Sequence, residues 1–263
     1  MNIVIHFNDF KSLLMEVHHH SHIPKKWTEY ITEFIMLFAA VTLGFFAENL
    51  REHAIEKERE VKFIQIVHED LLNDIKNLDT VSTIYQTRLK REDTLLNLLS
   101  NREFKQTNDL YYLARLNSIR FFFHHSKNGF QQLKNAGGLR LISNIEVIKK
   151  IQAYENNVEE MDELQRLTED LLMNYRQQMA MIFDGRVFKD MVINGKSRNI
   201  EARFSRPTSN PPLFNDSPEA LKDLLNKTLY VHNNNLGIAS RSRELKQAAI
   251  ELDNMLIKTY QLN

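Results

Sequence analysis

The distribution of apolar and polar positions changes character along the chain. Residues 31–47 form its most apolar stretch, and residues 34–47 carry no charge. Phe34, Met36, Phe38, Val41, Leu43, Phe45 and Phe46 would surround a helix on every side. A helix apolar all round is buried in protein or in lipid. The uncharged run has 14 residues, about 21 Å at 1.5 Å per residue, short of the ~20 residues a bilayer needs. Extension from Trp27 to Glu48 gives about 33 Å, sufficient if both ends sit among headgroups. Trp27 and Tyr30, with Lys25 and Lys26 beyond them, have the make-up of an interfacial belt. Asn49 and Arg51 mark the other end. A core helix of a soluble bundle would share the apolarity but needs no Lys-Lys-Trp anchor, so a transmembrane helix is expected over residues 27–49.

Beyond it the period becomes helical. Glu48 to about Asn101 reads as one long helix with a stripe of Ile64, Val67, Leu71, Ile75, Leu78, Tyr85 and Leu89. Thr107 is the expected N-cap of a helix running through His125, ended by Asn128-Gly129. A short helix with Phe130 and Leu133 should stop at Gly137-Gly138. Ser143 or Asn144 should cap a long helix with a stripe of Ile148, Ile151, Tyr154, Val158, Met161, Leu164, Leu167, Leu171 and Tyr175, ending near Asp184-Gly185. Residues 185–216, with Gly195, Pro207, Pro211 and Pro212, read as a long connection or lid. Ser217-Pro218-Glu219 opens a final helix or helix pair over 218–260, with a bend expected at Asn233–Asn235. The expected class is all-α: one N-terminal transmembrane helix followed by an antiparallel bundle of long helices. Its parts are a His-rich tail (1–26), the membrane helix (27–49) and the bundle (50–263).

Composition supports this outline. Only 7 Gly and 5 Pro occur in 263 residues, which favours long helices. Lys plus Arg and Asp plus Glu number 34 each, so no basic face for nucleic acid is indicated. The absence of Cys excludes disulfides and thiolate metal sites. Residues 1–14 lack the basic start, continuous apolar middle and cleavage site of a signal peptide, and Met15 is an alternative start.

Few residues suggest chemistry. His18, His19, His20 and His22 could take Zn, Cu or Ni, but lack acidic or thiolate partners at ligand spacing, which favours adventitious binding. Glu16-x-x-His19 has the spacing found in di-iron bundles, which require a second such motif. His124 and His125 follow three phenylalanines, a pattern more typical of core than of a cofactor box, and suit a helix C-terminus. The segment from Gly129 to Asn144 is either a tight corner in which glycines allow close backbone approach or a ligand or partner site, with Phe130, Leu133, Gly137 and Gly138 as its candidate residues. Glu33 would lie about a turn inside the membrane, where a carboxylate is costly. Either it reaches water near the boundary, or several copies assemble with Glu33 along a shared axis. Ala39, Ala40 and Gly44 are small, and the four-residue step from Ala40 to Gly44 lets membrane helices approach closely, so homo-oligomerisation is expected.

From Met15 the chain reads MEVHHHSHIPKKWTEYITEFIMLFAAVTLGFFAENLREHAIEKEREVKFI. This stretch resembles a large set of uncharacterised single-pass membrane proteins of Bacteroidota, with a His-rich start, a basic pair, a short apolar helix and an Ala-Glu-Asn-x-Arg-Glu-His exit. Leu133, Gly137, Leu139, Ile142 and Asn144 extend the resemblance to about residue 155. It implies an inner-membrane protein without known enzymatic activity and supplies no catalytic residues. It favours a periplasmic bundle, whereas Arg51, Lys57, Arg59 and Lys62 outnumber Lys25 and Lys26 and favour a cytoplasmic one. The expected function is a membrane-anchored binding, sensory or scaffold module, not an enzyme, with no cofactor. Its partners would be the bilayer, other copies of the chain and a protein of the membrane or envelope. The competing class is an ion- or proton-coupled membrane component using Glu33 and Glu48.

Overall fold

A computed structural model of the chain describes residues 26–101, 106–135, 137–193, 196 and 199–262. Six α-helices lie among them: α1 (Trp27–Asn101), α2 (Thr107–Asn117), α3 (Asn128–Asn135), α4 (Ile145–Ile182), α5 (Gly185–Asp190) and α6 (Pro218–Tyr260). Two 3-10 turns (Gly138–Arg140 and Glu201–Arg203) and one antiparallel bridge between Val192 and Phe204 complete the regular structure described. The chain divides into two compact units, residues 1–55 and 56–263.

The first unit is the N-terminal part of α1. Every residue from Lys26 to Ala54 is exposed. Phe34, Leu37, Phe38, Leu43, Phe45 and Phe46 are each more than 60% exposed. Thr32 and Thr42 donate their hydroxyls back to the carbonyls of Thr28 (2.9 Å) and Phe38 (2.8 Å), so their polarity is satisfied within the helix. By length and composition this helix could cross a membrane. The expected membrane helix and the long helix after it are a single element, because neither Gly nor Pro interrupts residues 45–101.

The second unit is a bundle. Partners fix its directions. Along α1 and α6, His68 meets Asp253, Asp79 meets Lys246 and Glu92 meets Asn235. Along α4 and α6, Lys150 meets Glu251, Glu160 meets Arg241 and Thr168 meets Asn234. Hence α6 is antiparallel to both. The Tyr154 hydroxyl reaches Asp74, and Tyr175 lies near Glu92 a few turns on, so α1 and α4 are parallel. The expectation of uniformly antiparallel long helices is therefore corrected. The chain returns between α1 and α4 through a broken arm instead of a fourth long helix.

That arm comprises α2, residues 118–127 without regular structure, α3 and the first 3-10 turn. It runs down α1, with Asn117 at Arg88, Phe121 at Tyr85, Ser126 at Asp74, Gly129 at Asp70 and Ser143 at Glu60. The helix expected through His125 ends at Asn117 because side chains of neighbouring helices take over the backbone's hydrogen bonds. Arg88 donates to the carbonyls of Asn117 (2.7 Å) and Ile119 (2.6 Å), and Tyr85 to that of Phe121 (2.8 Å). Arg176 donates to the Ser118 carbonyl at 3.0 Å. Gln165 brackets Phe123, accepting from its N–H (2.6 Å) and donating to its carbonyl (3.3 Å). Asn128-Gly129 consequently begins α3.

Several other boundaries differ in detail. Gln106 precedes α2 and offers no side-chain cap. Thr107 is the first helical residue, and its hydroxyl donates to the Pro211 carbonyl at 2.7 Å. Asn144 caps α4 by accepting from Glu146 and Val147, while Ser143 donates to Glu60. Ser217 caps α6, which passes through Asn233–Asn235 as one helix, excluding the helix pair. The α4 stripe shifts after Met161: Gln165, Thr168 and Leu172 are buried, and Leu167 is 47% exposed. The 185–216 connection packs on α2. Arg206 pairs with Asp109, Tyr111 donates to the Pro212 carbonyl (3.0 Å), and Arg115 stacks on Phe204 at 4.9 Å.

Apolar packing forms two clusters. One holds Ile64, Leu71, Leu78, Tyr154, Met161, Leu245 and Leu252; the other holds Leu95, Leu110, Tyr111, Leu172, Tyr175, Leu224 and Val231. Between them lies a belt of buried polar residues that includes Arg88, Glu92, Asn117, Gln165, Thr168 and Asn235.

Candidate functional site

The most concentrated chemistry in the second unit lies where the arm passes between α1 and α4. Asp70 and Asp74 are one turn apart on α1 and buried. Asp70 accepts from the Gly129 N–H at 2.6 Å, satisfying one of the first-turn donors of α3 from a neighbouring helix. Asp74 accepts from the Ser126 N–H (2.8 Å), the Tyr154 hydroxyl (2.7 Å) and His125 Nδ1 (2.5 Å). The other imidazole nitrogen, Nε2, faces Glu155 on α4 at 3.1 Å, and Glu155 also holds Lys134 of α3 at 2.7 Å. One histidine thus joins α1, the arm and α4.

Electrostatics set the protonation of this clasp. Burial would lower the His125 pKa, but hydrogen bonds to Asp74 and Glu155 outweigh it and raise the group to about 9. Burial would raise Glu155, yet its bonds from His125 and Lys134 keep it below the usual carboxylate value. Asp70 is pushed up by burial despite the Gly129 N–H, with repulsion from Asp74 adding to the effect. Burial, then the Asp74 charge, pushes the Tyr154 hydroxyl far up. His125 is therefore an imidazolium with both N–H groups occupied. It has no lone pair for a substrate proton or a metal, and its chemistry is that of a double donor. Among the described residues no group of three or more His, Asp or Glu could hold a metal. The His18–His22 run lies outside them.

The corner candidates gather beside this clasp. Phe130 and Leu133 are buried, with Phe130 stacked on Tyr154 at 5.6 Å and tilted against His125 at 5.1 Å. Gly129 presses on α1 so closely that a Cβ would lie 2.7 Å from the Val67 nitrogen. Gly138 is buried against Leu133 and Phe63, where a Cβ would meet their side chains at 2.9 and 3.3 Å. Gly137 is exposed and adopts φ of +65°, a left-handed conformation that favours glycine. Phe130, Leu133, Leu139 and Ile151 line the apolar side of an open groove of about 290 Å³ whose polar side includes Lys134, Gln152, Glu155, Asn156 and Glu159.

The other sequence candidates belong to the first unit. Glu33 is exposed, bordering a shallow depression with Thr28, Glu29, Thr32 and Met36. Glu48 is exposed and accepts twice from Arg51, at 2.9 and 2.5 Å. Ala40 and Gly44 are exposed, and a Cβ on Gly44 would meet nothing within 4 Å. The sequence alone does not single out Asp70, Asp74 or Glu155, and it brings in Tyr154 only as part of the α4 stripe. Asp74 continues the three- and four-residue spacing of Ile64, Val67, Leu71 and Leu78, so a carboxylate in core register was the available signal.

No protein-family model, curated protein or solved structure matches this chain.

Proposed function

We propose that the chain is a single-pass inner-membrane protein, anchored by residues 27–49, whose helical bundle is a binding module with the corner groove as its contact surface. The observation that supports anchoring is the contrast within α1. Apolar residues from Trp27 to Leu50 are exposed, whereas Ile64, Val67, Leu71 and Leu78 are fully buried. So continuous an exposed apolar surface requires cover, and a bilayer supplies it over this length. The groove reading rests on an apolar lining with polar edges between α3 and α4, two helices that the His125 clasp ties together. Extraction of membranes with alkaline carbonate tests the anchor: the chain stays with the lipid, and its release into the soluble fraction refutes the anchor. The bundle is placed in the periplasm by the resemblance alone, and protease added to spheroplasts then degrades it.

Self-association through the membrane helix belongs to the same proposal, with the open face at Ala40 and Gly44 allowing close approach. Ala40→Ile with Gly44→Ile weakens the oligomer in mild detergent and leaves the bundle folded. A strictly monomeric mass for the unaltered chain in nanodiscs refutes association. The ion-coupled alternative draws on Glu33, which borders a depression in the apolar unit, and on Glu48. Loss of an ion-dependent phenotype in Glu33→Gln at normal expression would favour it.

A further inference from the structure

Residues 228–240 of α6 carry no Asp, Glu, Lys or Arg, the longest uncharged run in the sequence from 56 to 263. Contacts on either side fix which way this run points. His232 and Lys246, two seven-residue steps apart, meet Glu92 and Asp79 of α1. Asn234 and Arg241, one such step apart, meet Thr168 and Glu160 of α4. Val231, Asn235, Ile238 and Ser242 are buried between these two flanks. Asn226, Asn233 and Ser240, at the same step, therefore run along the middle of the outward face.

Two edges border that middle line. Towards α1 the seven-residue step gives Lys222, Leu229, Leu236 and Arg243; towards α4 it gives Asp223, Tyr230, Gly237 and Glu244. Leu229, Tyr230 and Leu236 are 40%, 67% and 48% exposed, and a Cβ on Gly237 would meet nothing within 4 Å. Each edge is uncharged over its two central positions and charged at both ends, cationic on one side and anionic on the other. Lys222 and Arg243 make no ion pair among the described residues. Asp223 and Glu244 pair with Lys227 and Arg241, yet their side chains stay 46% and 58% exposed, open to a second cation.

We propose that this face docks on the same face of a second copy of the chain, with the two α6 helices parallel. A two-fold axis along the seam lays the cationic edge of each copy on the anionic edge of the other. Lys222 then meets the partner's Asp223, and Arg243 the partner's Glu244. Leu229 packs on the partner's Tyr230, and Leu236 on the partner's Gly237. Asn226 and Asn233 meet their own counterparts, and a polar pair at the centre of a helical seam fixes register and copy number at some cost in strength. Antiparallel pairing is opposed by charge, because it sets Lys222 against Arg243 and Asp223 against Glu244. Exposed ion pairs contribute little singly; their arrangement selects the partner and its direction. The surface is separate from the corner groove and from Ala40 and Gly44.

The chain contains no Cys, so one introduced thiol reports contact directly. Asn226→Cys is placed in the full chain carrying Ala40→Ile and Gly44→Ile, a background without the membrane-helix contact, so that the two surfaces fail separately. Mild oxidation of unfractionated lysate, membranes included, makes the result independent of the anchor. The expected product is a disulfide-linked dimer through position 226, while Gln177→Cys, exposed on α4, stays monomeric. Absence of the position-226 dimer, an equal yield from Gln177→Cys, or linkage of Asn226→Cys only to Ser240→Cys overturns the proposal. With Asn226→Cys present, Arg243→Glu and Glu244→Arg should each lose most of the dimer when expressed alone, since like charges then face one another. Co-expression of the two should restore it as a mixed dimer. Undiminished self-linkage of both charge variants overturns the pairing.

Discussion

Raising the pH through the range of the His125 clasp should weaken the bundle by a calculable amount. The ordinary imidazole value is 6.5, and His125 is raised to about 9. Because the folded value is the higher one, the stabilisation is fully present below pH 6.5 and is lost as pH rises towards 9. A shift of about 2.5 units corresponds to ~3 kcal/mol at 1.36 kcal/mol per unit. The size is plausible for a side chain that is 4% exposed and donates to two carboxylates. The lowered Glu155 pKa reflects the same interaction and is not counted again. His232, raised first by its bond to Glu92, titrates with the same sign and makes a variant control necessary. His125→Gln keeps one amide donor for Asp74 but carries no charge. Urea unfolding of the full chain in micelles, followed by far-ultraviolet circular dichroism between pH 6 and 9, should show the unaltered protein losing ~3 kcal/mol more than His125→Gln. The upper limit of pH 9 avoids ionisation of tyrosines in the unfolded chain. Parallel stability profiles for the two proteins would refute the clasp.

Gly129→Ala should destabilise the bundle by about 2 kcal/mol or more, because the added carbon meets α1 backbone at 2.7–2.9 Å. Gly137→Ala, at φ of +65° with open space around it, should cost only about 1 kcal/mol; equal losses in urea unfolding would contradict the distinction. Tyr260→Phe removes a 2.6 Å bond to Glu60, which is 2% exposed and also accepts from Lys57 and Ser143. The expected loss is about 1.5–3 kcal/mol, the range for a hydrogen bond to a charged group, and a thermal midpoint unchanged from the unaltered protein would count against it.

Much of the helical framework was legible in the sequence because burial on one face leaves a three- and four-residue rhythm. Ile64, Val67, Leu71 and Leu78 announced α1, and Ser217-Pro218 announced the start of α6. The same rhythm misled where only apolar residues were followed. Buried positions on α1 continue as Glu60, Asp74, Arg88 and Glu92, and on α4 as Gln165 and Thr168. Preferring apolar residues moved the expected α4 stripe onto Leu164, Leu167 and Leu171 instead. The early end of α2 was not legible, since nothing within residues 118–127 forbids helix. What stops it are donors and acceptors on α1 and α4, at least 29 positions away from Asn117, Ile119 and Phe123 in the chain. Of the corner, the glycines were legible as points of close approach, but the His125 clasp beside them was not. His125 looked like a helix-end histidine until Asp74 and Glu155 were brought to it from helices 51 and 30 residues distant.

The polar belt and the broken arm explain each other. Ten residues without helix, 118–127, expose backbone groups that a purely apolar neighbourhood would leave unpaired, at a cost of about 1–3 kcal/mol each. Arg88, Tyr85, Gln165, Arg176 and Asp74 supply those partners, and each reaches the arm from a helix of fixed register. A core of leucines at these positions would bury more apolar surface but could not hold an extended segment. It would favour a continuous fourth helix instead. Charges inside a bundle are a poor source of net stability. Here they determine where the arm lies, and thereby where Phe130, Leu133 and Lys134 meet α4. The groove is therefore specified through buried polar contacts several turns away from it, and substitutions in the belt should be felt there even though no belt residue lines it.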